Sequence, residues 1–304
     1  MYSYRNSIKS DKSDELINTY LLRPIAGIIV WALYYTPITP NQVTLASIVS
    51  GIVAALFYLK GTAGAFIAAG LLISLKDILD SADGQLARAK QQQSRTGRFL
   101  DSIGDFVVDA AVFGSIGWTL YQLNNDWLML LMALLGCIGI SLRVSYHVFY
   151  HVQFLHLQKQ YENNRITEEI REGDLIKGRF ELTLQRIFQI IYGWQDKLMA
   201  RIDEWSTKKT IQRKWKGCTQ SVQQYQASSS SESYKAWYSD TLALRISGLL
   251  GFGTEFFLLM VCSVLNHLKI YLYLNLFLMN GILIICIVYR RCILSTRCFA
   301  ENDI

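Results

Sequence analysis

The sequence predicts an all-α, polytopic membrane protein with six transmembrane helices. An N-terminal interfacial helix and a polar helical insertion between spans four and five complete it. Three observations carry this. Of 304 residues, 51% are hydrophobic and only 18% are charged, whereas a soluble domain usually carries about a quarter charged residues. Uncharged runs recur along the chain, and a helix needs about 20 mostly apolar residues to cross the hydrocarbon. The formal excess of +6 gathers in a few loops, as on a cytoplasmic membrane face rather than a nucleic-acid site. These features disfavour a soluble enzyme, a disordered scaffold and a Pro-rich chain. No nucleic-acid partner is expected.

The elements follow in order. The first 20 residues are polar and lack the apolar stretch of a cleavable signal peptide. Residues 15–36 are apolar, but Arg23 and Pro24 interrupt them early and Pro37 and Pro40 stop them. This reads as an interfacial helix. Spans are expected at 42–60, 62–82, 98–122 and 126–147. Thr39 can cap the first of them, with Pro40 in its opening turn. Residues 152–240 mix acids and bases. Within them Leu184, Ile187, Phe188, Ile191, Leu198 and Ile202 recur at helical spacing. That describes an amphipathic helix, lying on the membrane or on a partner, in a regulatory or membrane-associating segment. Ser228–Ser231 reads as a flexible linker. Two last spans are expected at 242–265 and 268–290, with Glu255 inside the first.

The expected organisation is thus 1–150 (interfacial helix and four spans), 151–240 (cytoplasmic insertion) and 241–304 (two spans and a tail). Arg88, Lys90, Arg95 and Arg98 mark the 83–98 loop, and Arg290, Arg291 and Arg297 mark the C-terminus. The positive-inside rule puts this loop and both termini in the cytoplasm. The six cysteines form no C-x-x-C and lie mostly in apolar runs. They read as small buried hydrophobes, with neither a disulfide framework nor a zinc site.

One stretch concentrates chemistry. Asp80-Ser-Ala-Asp83-Gly84-Gln-Leu-Ala87-Arg88 is followed, eight residues on, by Gly97-Arg-Phe-Leu-Asp101-Ser-Ile-Gly-Asp105. The spacings i,i+3 and i,i+4 put each Asp pair on one helix face. A hydrophilic, basic connection makes the two helices a hairpin, so four carboxylates converge at the membrane boundary. They cannot all stay ionised without a compensating charge. Hard divalent cations take oxygen ligands, and Mg²⁺ is the usual partner of phosphates. Gly84 and Gly97 permit close approach of a ligand or backbone, and Arg88 offers a fork for a phosphate oxygen. Together these describe a pyrophosphate site. The competing structural reading is a polar hairpin held by salt bridges to Arg88, Lys90 and Arg95.

These residues, D-x-x-D-G-x-x-A-R-x₈-G-x-x-x-D-x-x-x-D, resemble the signature of the CDP-alcohol phosphotransferase (CDP-alcohol phosphatidyltransferase, class I) family at every fixed position. The resemblance is close over residues 15–150 and only topological beyond. It implies that Asp80, Asp83, Asp101 and Asp105 hold two divalent ions, Mg²⁺ or Mn²⁺, which clamp the pyrophosphate of a CDP-alcohol. It implies that Asp105 is also the general base, taking the proton of the acceptor hydroxyl as that oxygen attacks phosphorus and CMP leaves. Gly84, Arg88 and Ser94 fall where the family binds the nucleotide. Upstream, Asn41, Gln42, Val43 and Thr44 resemble the family's P-N-x-x-T element and imply a further CDP contact.

The expected function is therefore phospholipid synthesis from a CDP-alcohol lipid, chiefly CDP-diacylglycerol, and a small alcohol acceptor among membrane lipids. A homodimer is compatible with it. CDP-choline, CDP-ethanolamine or a CDP-polyol as donor is the alternative within the class. A non-catalytic scaffold or a transporter is the alternative outside it. Of the remaining polar residues, Asp109 extends the Asp105 face by a turn without an assigned role. His147 and His151 are read as interfacial packing rather than metal ligands. Arg143, Arg245 and Glu255 either line an acceptor pocket or pair with one another.

Overall fold

The structure is a computed structural model that describes residues 15, 17–158, 178–207 and 232–299. The polar start of the chain, Cys218 and the Ser228–Ser231 linker lie outside these residues. All regular structure among the described residues is helical. A π-helical stretch, Asn18–Leu22, runs directly into α1 (Arg23–Tyr34). Pro24 does not interrupt this helix as expected. It sits in the opening turn of α1, where a missing N–H removes little. Then follow α2 (Pro40–Tyr58), α3 (Ala63–Ala89), α4 (Arg95–Asn124) and α5 (Leu128–Leu157). The insertion supplies α6 (Arg179–Ser206) and α7 (Glu232–Ser239).

The segment expected as one span at 242–265 is two helices, α8 (Thr241–Gly248) and α9 (Phe252–Val264). The break falls at Gly251, where an added Cβ would lie 1.8 Å from a Glu15 carboxylate oxygen. Glu15 uses that space to accept from the Gly253 N–H at 2.8 Å, a carboxylate on orphan donors at a helix start. The last helical run comprises α10 (Leu268–Tyr273), a π stretch Leu274–Met279, α11 (Asn280–Val288), a second π stretch Tyr289–Leu294 and α12 (Ser295–Phe299).

Among the described residues four helical runs are long and apolar enough to cross a membrane: Pro40–Tyr58, Leu128–Leu157, Thr241–Val264 and Leu268–Cys298. The helices α3 and α4, expected as spans two and three, fall outside this set. Lys76, Asp77, Asp80 and Asp83 crowd the second half of α3, and Asp101, Asp105 and Asp109 line α4. Charge at these positions is costly in lipid and tends to mark function.

The chain divides into two compact units. The first holds residues 15–141 and 251–280. In it α2 packs on both α3 and α4, and α3 also packs on α1 and α9. The buried Thr44, Ser47, Gly51, Ala54 and Tyr58 recur every three or four residues along α2, a face of mostly small residues that lets helix backbones approach. An added Cβ at Gly51 would lie 2.4 Å from Val108, and one at Gly104 would lie 2.2 Å from Ile48. Only the missing side chains let α2 and α4 meet this closely. Ser47 and Ser50 donate to the carbonyls of Lys76 and Leu72, both at 2.9 Å, tying α2 to α3.

The second unit holds the described parts of 142–250 and 281–304. Tyr146, Tyr150, Phe154, Met199, Trp237, Leu244, Cys286 and Leu294 share its core. At its centre Asp203 of α6 accepts from Tyr150 Oη at 2.8 Å, Trp237 Nε1 at 2.9 Å and Tyr238 Oη at 2.5 Å. The Arg290 guanidinium stacks 3.5 Å from the Tyr150 ring centre and donates to the Trp237 carbonyl at 3.0 Å. Burial is the strongest influence on the Asp203 carboxyl and pushes it above its ordinary value, against the pull of its three donors and Arg290. The amphipathic helix of the insertion is thus part of this core.

Candidate active site

The site is set by how the α3–α4 hairpin closes. Lys90 ends α3, and Gln91 takes a left-handed conformation at φ 55°. The Lys90 ammonium donates to the carbonyls of Thr36 and Ile38, at 2.7 and 2.8 Å. This holds the end of α3 against the connection leading into α2. Ser94 then caps α4, its Oγ accepting from the Gly97 N–H at 3.0 Å. Asn41 Oδ1 lies 2.8 Å from where a Gly97 Cβ would be. Gly97 is therefore what allows the start of α2 to approach the start of α4.

Three of the four motif carboxylates converge. One oxygen each from Asp80, Asp101 and Asp105 can be chosen so that all lie within 4.8 Å of one another. Asp83 stands beside this group, buried, with Thr44 Oγ1 donating to its carboxylate. It interacts electrostatically with Asp80 and Asp101. The guanidinium of Arg88 folds back over Gly84, with nitrogens 3.5 and 3.8 Å from where a Gly84 Cβ would be. In the upstream element Gln42 Oε1 accepts from the Thr39 N–H at 2.9 Å, completing a capping box. Val43 packs with Ala26, Val30, Ala82 and Leu86. Gln42 and Val43 thus have structural tasks of their own, while Asn41 and Thr44 face the motif.

One feature was not singled out from the sequence. Lys76 is 1% exposed and forms an ion pair with Asp105. Its ammonium also lies 5.5 and 5.0 Å from the ring centres of Phe252 and Phe256, within cation–π range. The signal available was a lone lysine at the end of an apolar run, one turn before Asp80. That position resembles an ordinary span-end anchor. The polar residues left unassigned from the sequence are mostly buried. Asp109 is buried, and its Oδ1 has no hydrogen-bond partner among the described residues. Glu255 accepts from Tyr271 Oη at 2.9 Å and from Asn275 Nδ2. His147 and His151 are buried on α5 with ring centres 5.6 Å apart.

An oxygen-only donor set of clustered carboxylates suits a hard divalent cation. Lys76 supplies one positive charge against three converging acids, so the residues present fit such an ion. Fold and site together define a helical membrane protein with a carboxylate cluster able to hold a divalent metal. Residues 37–166, which include the whole hairpin, match the CDP-alcohol phosphatidyltransferase family profile. Over those residues the chain is similar to that family.

Curated relatives also match part of the chain. A bifunctional IPC transferase and DIPP synthase of Thermococcus kodakarensis is 33% identical over 137 residues, covering 45% of this chain and 30% of the relative. A phosphatidylinositol phosphate synthase of Corynebacterium glutamicum is 31% identical over 126 residues, covering 41% and 55%. An archaetidylinositol phosphate synthase of Pyrococcus horikoshii is 39% identical over 80 residues, covering 26% and 40%. The chain thus spans between 30 and 55% of the length of these relatives.

Proposed function

We propose that this chain is a multi-pass membrane phosphotransferase. It moves a substituted phosphate from a CDP-alcohol, chiefly CDP-diacylglycerol, to an acceptor alcohol and releases CMP. The observation that carries this reading is the convergence of Asp80, Asp101 and Asp105 within the family-matched segment. In this reading all six helices of the expected set span the bilayer, with the active site on the cytoplasmic face. Asp80, Asp83, Asp101 and Asp105 hold two divalent ions, Mg²⁺ or Mn²⁺. The bound ions would neutralise charge on the pyrophosphate and on the departing CMP.

The chain's own residues do the rest. The Asn41–Thr44 turn, Gly84, Arg88 and Ser94 bind the nucleotide half of the donor. Gly84 leaves room for a phosphate, and Arg88 presents its guanidinium fork above it. Asp105 accepts the proton of the acceptor hydroxyl as that oxygen forms a bond to the donor phosphorus. The bond from phosphorus to the CMP oxygen breaks. Lys76 is a positioning residue here: its ammonium pairs with the Asp105 carboxylate and holds it in one orientation.

Two of these relatives carry phosphatidylinositol phosphate or archaetidylinositol phosphate in their names, and this favours a phosphorylated or free polyol as acceptor. The test is CMP release by the purified protein with CDP-diacylglycerol, Mg²⁺ or Mn²⁺, and a panel of polyols and polyol phosphates. A parallel series offers donors whose alcohol is small. Release with one pairing and not the others identifies donor and acceptor together. Absence of CMP across the whole panel would overturn the phosphotransferase reading.

A further inference from the structure

The helix α6 has two apolar faces, and the core of its unit uses only one. Leu184, Gln185, Phe188, Gln195, Met199 and Asp203 are buried. A second stripe points outward: Phe180 is 67% exposed, Ile190 75%, Trp194 52% and Trp205 55%, with Ile187 among them. At 100° per residue these five fall within about a quarter of the helix circumference. Arg179, Arg186 and Lys197 run along one edge of the stripe, with Glu204 as the one acid there, and Arg201 falls between Ile190 and Trp194.

Two contacts place this stripe relative to the spans of the same unit. The Arg291 guanidinium, near the end of the candidate span Leu268–Cys298, stacks 3.5 Å from the Trp205 ring centre and donates to the Trp205 carbonyl at 2.9 Å. Ser145 Oγ donates to Gln195 Oε1 at 2.6 Å. Ser145 lies 17 residues beyond Leu128, the start of its candidate span, or about 26 Å of helix against about 30 Å of hydrocarbon. Both contacts put α6 at the boundary layer rather than in bulk water.

We propose that the outer face of α6 lies in the interfacial layer of the bilayer. Its apolar stripe enters the acyl–headgroup boundary, and its basic edge rests on anionic headgroups. Tryptophan and flanking arginine or lysine are the side chains this layer favours. An apolar stripe beside a basic edge is the composition of a helix that lies on a membrane. The insertion therefore contributes a lipid-facing surface as well as part of the core. This inference stands independently of the phosphotransferase reading.

The test uses the full chain in bilayer nanodiscs of phosphatidylcholine with phosphatidylglycerol. The reporters are nitroxide labels on Ile190→Cys and Trp194→Cys, with Gln189→Cys as the reporter on another face. Cys137, Cys218, Cys292 and Cys298 are first replaced by Ser. Collision with oxygen should exceed collision with a water-soluble nickel chelate several-fold at 190 and 194, and fall below it at 189. Stripe labels open to the nickel chelate would overturn the proposal. Stripe labels shielded from both reagents would also overturn it, since protein and not lipid would then cover the face. Replacing phosphatidylglycerol by phosphatidylcholine should draw the stripe labels toward water. An unchanged depth would remove the anionic-headgroup part of the proposal.

Discussion

Each unit of the molecule buries carboxylate, and the two do so in opposite ways. In the second unit one acid, Asp203, receives hydrogen bonds from Tyr150, Trp237 and Tyr238, with Arg290 beside them. In the first unit Asp80, Asp101 and Asp105 crowd together with Asp83 alongside, and the Lys76 ammonium pairs with Asp105. A saturated carboxylate has no need of a ligand and fixes neighbouring elements in place. A crowded, under-compensated group costs stability unless something positive arrives. The difference is that between a structural joint and a group of acids that could hold a cation.

The comparison is most exposed to metal removal. Chelation with EDTA should abolish CMP release, and Mg²⁺ or Mn²⁺ should restore it, because the acids of the first unit cannot approach a pyrophosphate uncompensated. Full turnover in chelator would break the contrast at once. Asp105→Asn should lower kcat by about 10²–10⁴-fold, the usual worth of a positioned base, while metal-dependent donor binding largely survives. Asp80→Asn should weaken donor binding as well. The paired measurement is donor affinity with Mg²⁺ present and CMP release at saturating donor. An inverted result would reverse the two roles.

Deleting one partner in each unit sharpens the contrast further. Both Asp203→Ala and Lys76→Met strand a buried charge, and each should cost about 3–5 kcal/mol of stability without metal. Mn²⁺ should recover much of the loss in Lys76→Met, since the freed Asp105 can join the ion, and none of it in Asp203→Ala. Thermal unfolding in detergent with and without Mn²⁺ reads this directly. Equal rescue of both variants would mean that the ion does not act through the Asp105 cluster. The smallest expected effect is Tyr238→Phe, which removes one of three donors to Asp203. It should cost about 1 kcal/mol, with kcat at low temperature unchanged.

The helical membrane fold was legible in the uncharged runs, and the Asp80–Asp105 hairpin in its spacing. Periodicity puts acids on faces, and a basic connection turns one helix back on the next. What sequence left out depends on partners distant in the chain. Lys76 acquires meaning only once α4 brings Asp105 to it. Asp203 sits among mixed charges on an amphipathic helix, and nothing local distinguishes it from a solvated acid. The split of the 241–264 segment required knowing that Glu15 occupies the space beside Gly251. Gly51 looked like an ordinary residue of an apolar run and Gly104 like a spacer between Asp101 and Asp105, because the Val108 and Ile48 side chains that need their space lie on another helix.

The two π stretches in the last helical run bear on how its length can vary. A π turn closes with one residue more than an α turn, so Leu274–Met279 and Tyr289–Leu294 each accommodate a surplus residue without displacing the helix ends. Removing a single residue inside either stretch should relax it to an α turn and leave distant contacts aligned, whereas the same deletion within α11 would rotate every later side chain by about 100°. Chain-length changes between homologues are therefore expected to fall in these two windows. They also mark where a one-residue deletion can be engineered while Arg290 or Asn275 is kept.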